Sequence, residues 1–290
     1  ASELLRLSYH QPSGAQPDVW QAWRELASSQ ARDILRLPWI SLKDLLNEWF
    51  DSDVLKGLLC QLSLQHSLQG PFASGTGFGL LHAWATGQGL ERRFTPNLEA
   101  QLRAHLQGVA KFERCSPQEL KITAENGAVK AIGDFDSDLF WSAFDARRTL
   151  DWICARQLEH DTVAAVQQMR YRGCVALAHG SALPQLPHCT EQDWQAGVFI
   201  TAGLNGLERA YDPTKFGGHS PTLLGQFKTT SQGWRAQLQY HPYAQSSRPI
   251  VTGLLSQAGF GSDSLACYLP EDLQHEFGYS EGCLTGEQLV

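Results

Sequence analysis

The sequence contains no G-x-G-x-x-G: among its 26 glycines Gly75 and Gly77 come nearest, but position 80 is Leu. That absence removes the tight turn that sets a pyrophosphate on a helix N-terminus. G-x-S-x-G, H-E-x-x-H, G-x-x-x-x-G-K-[ST] and an EF-hand loop are missing as well, so none of those chemistries has a motif to stand on. The 10 histidines and 30 acidic residues are scattered without ligand spacing, and no metal is expected. The seven cysteines (60, 115, 154, 174, 189, 267, 283) are odd in number and never form C-x-x-C, and there is no N-x-[ST] sequon. Reduced, mostly buried thiols are expected rather than a disulfide framework. His188 and Cys189 adjoin, but adjacent side chains rarely point the same way, and Pro184 and Pro187 place the pair in a loop.

Long apolar stretches and clustered positive charge are also lacking. No run reaches 18 apolar residues, so no helix is expected to span a membrane. The opening Ala1-Ser-Glu-Leu-Leu5 lacks the basic and apolar regions of a signal peptide, and a cytoplasmic protein is expected. A net charge of -7 gives no reason to expect nucleic-acid binding.

What remains is a chain of 290 residues, 42% hydrophobic, able to build one large domain or two small ones. Residues 1–17 carry Pro12, Gly14 and Pro17 and read as an irregular lead-in, with residues 18–290 as a single unit. Its first part, about 18–110, is helical in pattern. Trp20, Trp23, Leu26, Ile34 and Leu37 recur at helical spacing up to Pro38. Ser41 is an N-cap candidate before Leu42, Leu45, Leu46 and Trp49, and Ser52 or Asp53 opens a third helix. Residues 74–79 read as a flexible connection, and 97–108 as a further helix.

The second part, about 118–290, is rich in strands. Residues 120–124 and 128–132 flank Asn126-Gly127, the strongest short hairpin signal. Residues 138–144 are a third strand candidate, followed by a helix over 146–157. Strands are expected at 174–178, 198–202, 225–229 and 234–240. In the last, Trp234, Ala236, Leu238 and Tyr240 alternate with Arg235, Gln237 and Gln239, which predicts one buried and one wet face. The fold class is α+β, a helical subdomain with a mixed or antiparallel sheet.

The most specific stretch is Leu207-Glu-Arg-Ala-Tyr-Asp-Pro-Thr-Lys-Phe216. With Asp44 to Leu59 (core W-F-D-S-D-V-L-K), Gly75-Thr-Gly-Phe-Gly-Leu-Leu-His82, Asp138 to Leu150, Arg170 to Leu177, Gln239-Tyr-His-Pro-Tyr243, Leu269 to Gly278 and Gly286 to Val290, it forms a collinear series. Together these segments resemble the substrate domain of phytoene-desaturase-like FAD-dependent oxidoreductases. The resemblance implies a substrate-domain fold like that of the amine-oxidase and phytoene-desaturase group, and a chain carrying the substrate-facing middle without the flavin-binding parts.

Departures from the family pattern bear on function. The family's glycine-rich helix opening is replaced by Arg92-Arg-Phe-Thr-Pro-Asn-Leu98, and of its histidine pair only His82 is kept, followed by Ala83. Bulky side chains obstruct the close approach a pyrophosphate needs. FAD is therefore expected to be absent from the chain alone, present only if a partner chain supplies or shares it. Three functions compete: a non-catalytic partner or accessory subunit, the substrate-domain chain of a split FAD-dependent oxidoreductase, and a carrier for a long apolar ligand such as an isoprenoid or other lipid. The expected partner is another protein chain or a second copy.

Candidate site residues follow from the resemblance. No catalytic residue is assigned, with His82 as a possible remnant. Phe78, Leu81, His82, Trp84, Phe94, Trp141 and Phe144 would face the missing flavin domain. Arg209 suits an anion, a partner, or a structural ion pair with Glu208 or Asp212, and Tyr211 shares its motif. Trp20, Trp23, Trp39, Trp49 and Trp84 suit ordinary core, the lining of a large apolar cavity, or a subunit interface.

Overall fold

A computed structural model of the chain describes residues 35–86, 98–110, 122–125, 128–133, 135–137, 139–140, 142, 144–153, 158–184, 186, 189–231, 233–243, 248–261 and 265–284. Helices α1 (Leu42–Trp49), α2 (Asp53–Leu64), α3 (Thr76–Thr86) and α4 (Leu98–Leu106) come first. Strands β1 (Ile122–Glu125), β2 (Ala128–Ile132) and β3 (Phe135–Asp136) precede α5 (Ala146–Trp152) and α6 (His160–Gln168). Then follow β4 (Val175–Gly180), α7 (Glu191–Ala196), β5 (Val198–Ile200), α8 (Leu204–Tyr211) and a 3-10 turn (Asp212–Phe216). β6 (Gly225–Thr230), β7 (Gly233–Gln239), α9 (Arg248–Gln257), β8 (Ala266–Tyr268) and α10 (Pro270–Phe277) complete the series. Helices combined with antiparallel sheets make the fold α+β. Among the described residues no helix is long and apolar enough to cross a membrane.

The chain forms two compact units, one of residues 1–90 with 171–290 and one of residues 91–170. In the smaller unit β1 and β2 pair antiparallel with a bulge between Thr123 and Ala124, as the Asn-Gly signal predicts. The turn residues themselves lie outside the described residues. The third strand is β3, not 138–144: among the described residues of that stretch none is in a strand. Asp145 accepts from the Arg148 N–H at 3.0 Å and caps α5, so the helix begins where the sequence places it.

The larger unit is built on a sheet of order β5-β6-β7-β4-β8, with every pairing antiparallel. Trp234, Ala236 and Leu238 of β7 are buried, and Arg235 between them is exposed. On that apolar face Trp194, Phe227, Trp234 and Phe260 interlock, with Phe227 and Trp234 each within 5 Å of Phe260 between ring centroids (4.8 and 4.7 Å). The Trp234 indole N–H donates to the Ala182 carbonyl at 2.8 Å, satisfying a polar atom this packing buries.

The opposite face is wet only at Arg235. Gln239 is buried and its amide donates to the Leu64 carbonyl of α2 at 2.6 Å. Gln65 donates to Gln237, and Gln61 donates to the Ile200 carbonyl of β5 at 3.1 Å. Helix α2 therefore covers the side that alternation alone assigns to solvent, because glutamine can satisfy both water and a buried neighbour. A second core joins Leu42, Leu46, Cys60 and Leu64 to Leu204, Leu207, Leu224 and Tyr240.

Helix boundaries in this unit follow side-chain caps. Ser41 accepts from the Asp44 N–H at 3.1 Å and Ser52 from the Leu55 N–H at 3.4 Å. Residues 74–79 are not a loose connection. Gly75 takes a left-handed φ of 85°, and α3 starts at once with Thr76, whose hydroxyl accepts from the Leu42 N–H at 2.9 Å.

Close approach between α2 and the start of α8 is what Gly57 permits: a Cβ there would stand 2.0 Å from the Ala202 carbonyl oxygen. Gly253 of α9 has nothing within 4 Å of the same position. The two glycines should therefore respond oppositely to alanine. Gly57→Ala is expected to lose about 2 kcal/mol through overpacking, and Gly253→Ala to gain about 0.5–1 kcal/mol of helix stability. Urea denaturation midpoints of the two variants and the parent chain check the pair; a Gly57→Ala midpoint at or above the parent's contradicts the packing.

Candidate functional site

The residues predicted to face a flavin domain fall in different places. Phe78, Leu81 and His82 lie on α3 of the larger unit, all half-buried, with the Phe78 and His82 rings 6.4 Å apart one helical turn from each other. Trp84 belongs to the same helix, but its side chain lies outside the described residues, as do Phe94 and Trp141. Phe144 belongs to the smaller unit, where it is exposed and the Arg148 guanidinium lies 5.5 Å over its ring. Trp39 and Trp49 are largely exposed and belong to no core; Trp20 and Trp23 lie outside the described residues.

The Leu207–Phe216 motif serves the architecture of the larger unit. Leu207 and Ala210 of α8 point into the second core. Helix α8 starts at Gly203 with no side-chain cap of its own, and the Asp53 carboxylate of α2 accepts from the Leu204 N–H at 3.2 Å instead. Glu208, little exposed, reaches the opposite way: one oxygen accepts from the Phe72 N–H at 3.1 Å, and the other from Lys215 at 3.3 Å. Lys215 also donates to Asp212 at 2.7 Å and lies 4.9 Å over the Tyr211 ring. Tyr211 packs on Tyr240 at 5.6 Å, and the Tyr240 hydroxyl donates to the Gln69 carbonyl at 3.0 Å.

Arg209, by contrast, is exposed and has no ion pair among the described residues. An ion pair with Glu208 or Asp212 is one of the roles the sequence offers Arg209; Lys215 pairs with both acids. Both basic residues stand within reach of those acids along the chain. Glu208, Asp212 and Lys215 stand at i, i+4 and i+7 and so share one helical face, whereas Arg209 adjoins Glu208 and faces another way.

Several buried titratable groups of the larger unit are shifted toward their uncharged forms. Burial pushes the Cys60 thiol up to about 12 and the Cys267 thiol up to about 11, and Cys174 higher still. Burial also lowers His66 to about 4, and it lowers His82 and His219. Each of these groups is thereby held in its neutral form, the thiols protonated and the imidazoles unprotonated near neutral pH. Among the described residues no group of three or more His, Cys, Asp or Glu could hold a metal ion.

No protein-family model, curated protein or solved structure matches the chain.

The geometry sets apart two neighbours in the motif. Glu208→Ala removes the acceptor of a backbone N–H and of a lysine, and is expected to cost about 1.5–3 kcal/mol. Arg209→Ala, at an exposed position, should change stability by less than about 0.5 kcal/mol. Thermal and urea unfolding of both variants test the contrast, and equal losses would contradict the assigned contacts.

Proposed function

We propose that this chain is a non-catalytic accessory subunit derived from the substrate domain of a flavin oxidoreductase, binding no FAD by itself and acting with another chain or a second copy. The observation that carries the reading is the use made of the Leu207–Phe216 motif. Its acids and lysine are spent on loop 70–72 and on one another, and its apolar residues on the core. That is scaffold work, of the kind a substrate domain keeps when its chemistry is supplied elsewhere.

The titratable groups support the same reading. A nucleophile or general base needs a pKa near the working pH. The thiols and imidazoles that depart from their ordinary values here move away from it. His82, the remnant of the family's histidine pair, is among them. Half-buried Phe78 and Leu81 beside it give α3 an apolar surface suited to contact with a protein partner.

The purified full chain, incubated with excess FAD and desalted, is expected to show no flavin absorbance, and to be recovered from its native source with a second protein or as an oligomer. A stoichiometric flavin spectrum from the chain alone overturns the cofactor part of the reading. A monomer recovered without companions overturns the subunit part.

A further inference from the structure

Where β7 ends and β4 begins, the larger unit buries an imidazole without satisfying it. His241 has no solvent exposure, and its backbone N–H donates to the Cys174 carbonyl just before β4 at 2.9 Å. Neither ring nitrogen of His241 has a hydrogen-bond partner among the described residues. A neutral imidazole always presents one N–H and one lone pair, so this enclosure leaves a donor and an acceptor unmet. The ring stacks on His219, centroids 5.9 Å apart and planes 26° apart, and Nδ1 of His219 is also without a partner.

The backbone here is held in an uncommon conformation. Tyr240, immediately before His241, has a φ of 65°, a region that bulky side chains rarely enter. Its carbonyl accepts from the Ser220 N–H at 3.0 Å, which ties the segment carrying His219 to the end of β7. Such unpaired buried groups beside a strained residue persist only where the surrounding structure enforces them.

We propose that His219 and His241 form an acid-sensitive latch at this corner: as neutral rings they stack and close it, and protonation at mildly acidic pH opens it. The groups that face the pair are few. Among the described residues, His219 is the titratable group that acts on the His241 ring. Glu271, from the first turn of α10, acts on His219 and draws its pKa partly back up. Cys174 contributes its carbonyl to His241 and a thiol that burial keeps protonated, with Cys283 adding to that effect. Among the described residues no carboxylate acts on His241 directly; the nearest in effect is Glu271, through His219.

The direction follows from linkage. Burial first, and the His219 charge second, lower His241 from 6.5 to about 3. When the corner opens, the ring returns to its ordinary value and takes up a proton as pH falls through 6.5. The closed state cannot do so until near 3. Stability is therefore fully present above about pH 6.5 and declines below it, the ratio of closed to open chain falling roughly 25-fold between pH 7 and pH 5 through His241 alone.

The experiment is a series of denaturant unfolding curves of the full chain between pH 7.5 and 5, for the parent and for His241→Phe. Phenylalanine keeps a flat ring for His219 to stack on and cannot titrate. The parent is expected to lose roughly 25-fold more in folding equilibrium than His241→Phe over pH 7 to 5. Equal pH slopes would overturn the latch. NMR of the histidine rings in the unmodified chain gives a reading that does not depend on the variant folding. The folded-state His241 signal should stay neutral down to pH 5 while an opened population grows, whereas protonation of the folded-state ring with a midpoint near 6 overturns the proposal.

Discussion

The larger unit depends on one strand. β7 lies between β6 and β4 and pairs along its length with both, so neither of its backbone edges is left to water. Its side chains do opposite work on the two faces. Trp234, Ala236 and Leu238 supply the apolar core, while Gln237 and Gln239 engage α2 through amide hydrogen bonds. Removing a buried amide's partner costs more than the bond gains when made. Those glutamines therefore fix the position of α2 on the sheet more than they strengthen its attachment.

Hydrogen bonding and ion pairing elsewhere are arranged to join segments distant in sequence. Asp53 closes the start of α8, and Glu208 closes the loop before α3. Each carboxylate sits against backbone N–H groups that no neighbour of its own could satisfy. Asp53 and Glu208 thus spend their charge on architecture, and burial keeps the Cys60 and Cys267 thiols and the His66 imidazole neutral.

Much of this was legible beforehand, and what was not has identifiable causes. Caps at Ser41, Ser52 and Asp145, the hairpin around 122–132 and the four strands of residues 175–239 follow from local chemistry: a side-chain oxygen before a periodic run, an Asn-Gly turn, alternation of two. The start of α3 was hidden because Gly75, Gly77 and Gly79 weaken any helical signal, whereas here they serve a left-handed turn and close helix packing. β8 and α9 were missed because Gly and Ser crowd the sequence around them, and α8 because its apolar stripe is short. Lys215 rather than Arg209 partners Glu208 because Glu208, Asp212 and Lys215 fall at helical spacing on one face, a pattern visible only once a helix is placed there.

The glutamine contacts of α2 also bear on the order in which the protein can be assembled. They join residues 139, 172 and 175 positions apart, and the intervening residues 91–170 form a compact unit of their own. During synthesis the chain emerges from its N-terminal end, so α2 leaves the ribosome long before the strands it rests on. The inserted unit meets its own partners at once, since its contacts are local. The larger unit cannot close its core until β7 has been made, so its first helices lack the sheet that covers them for as long as residues 91–170 and those that follow take to emerge.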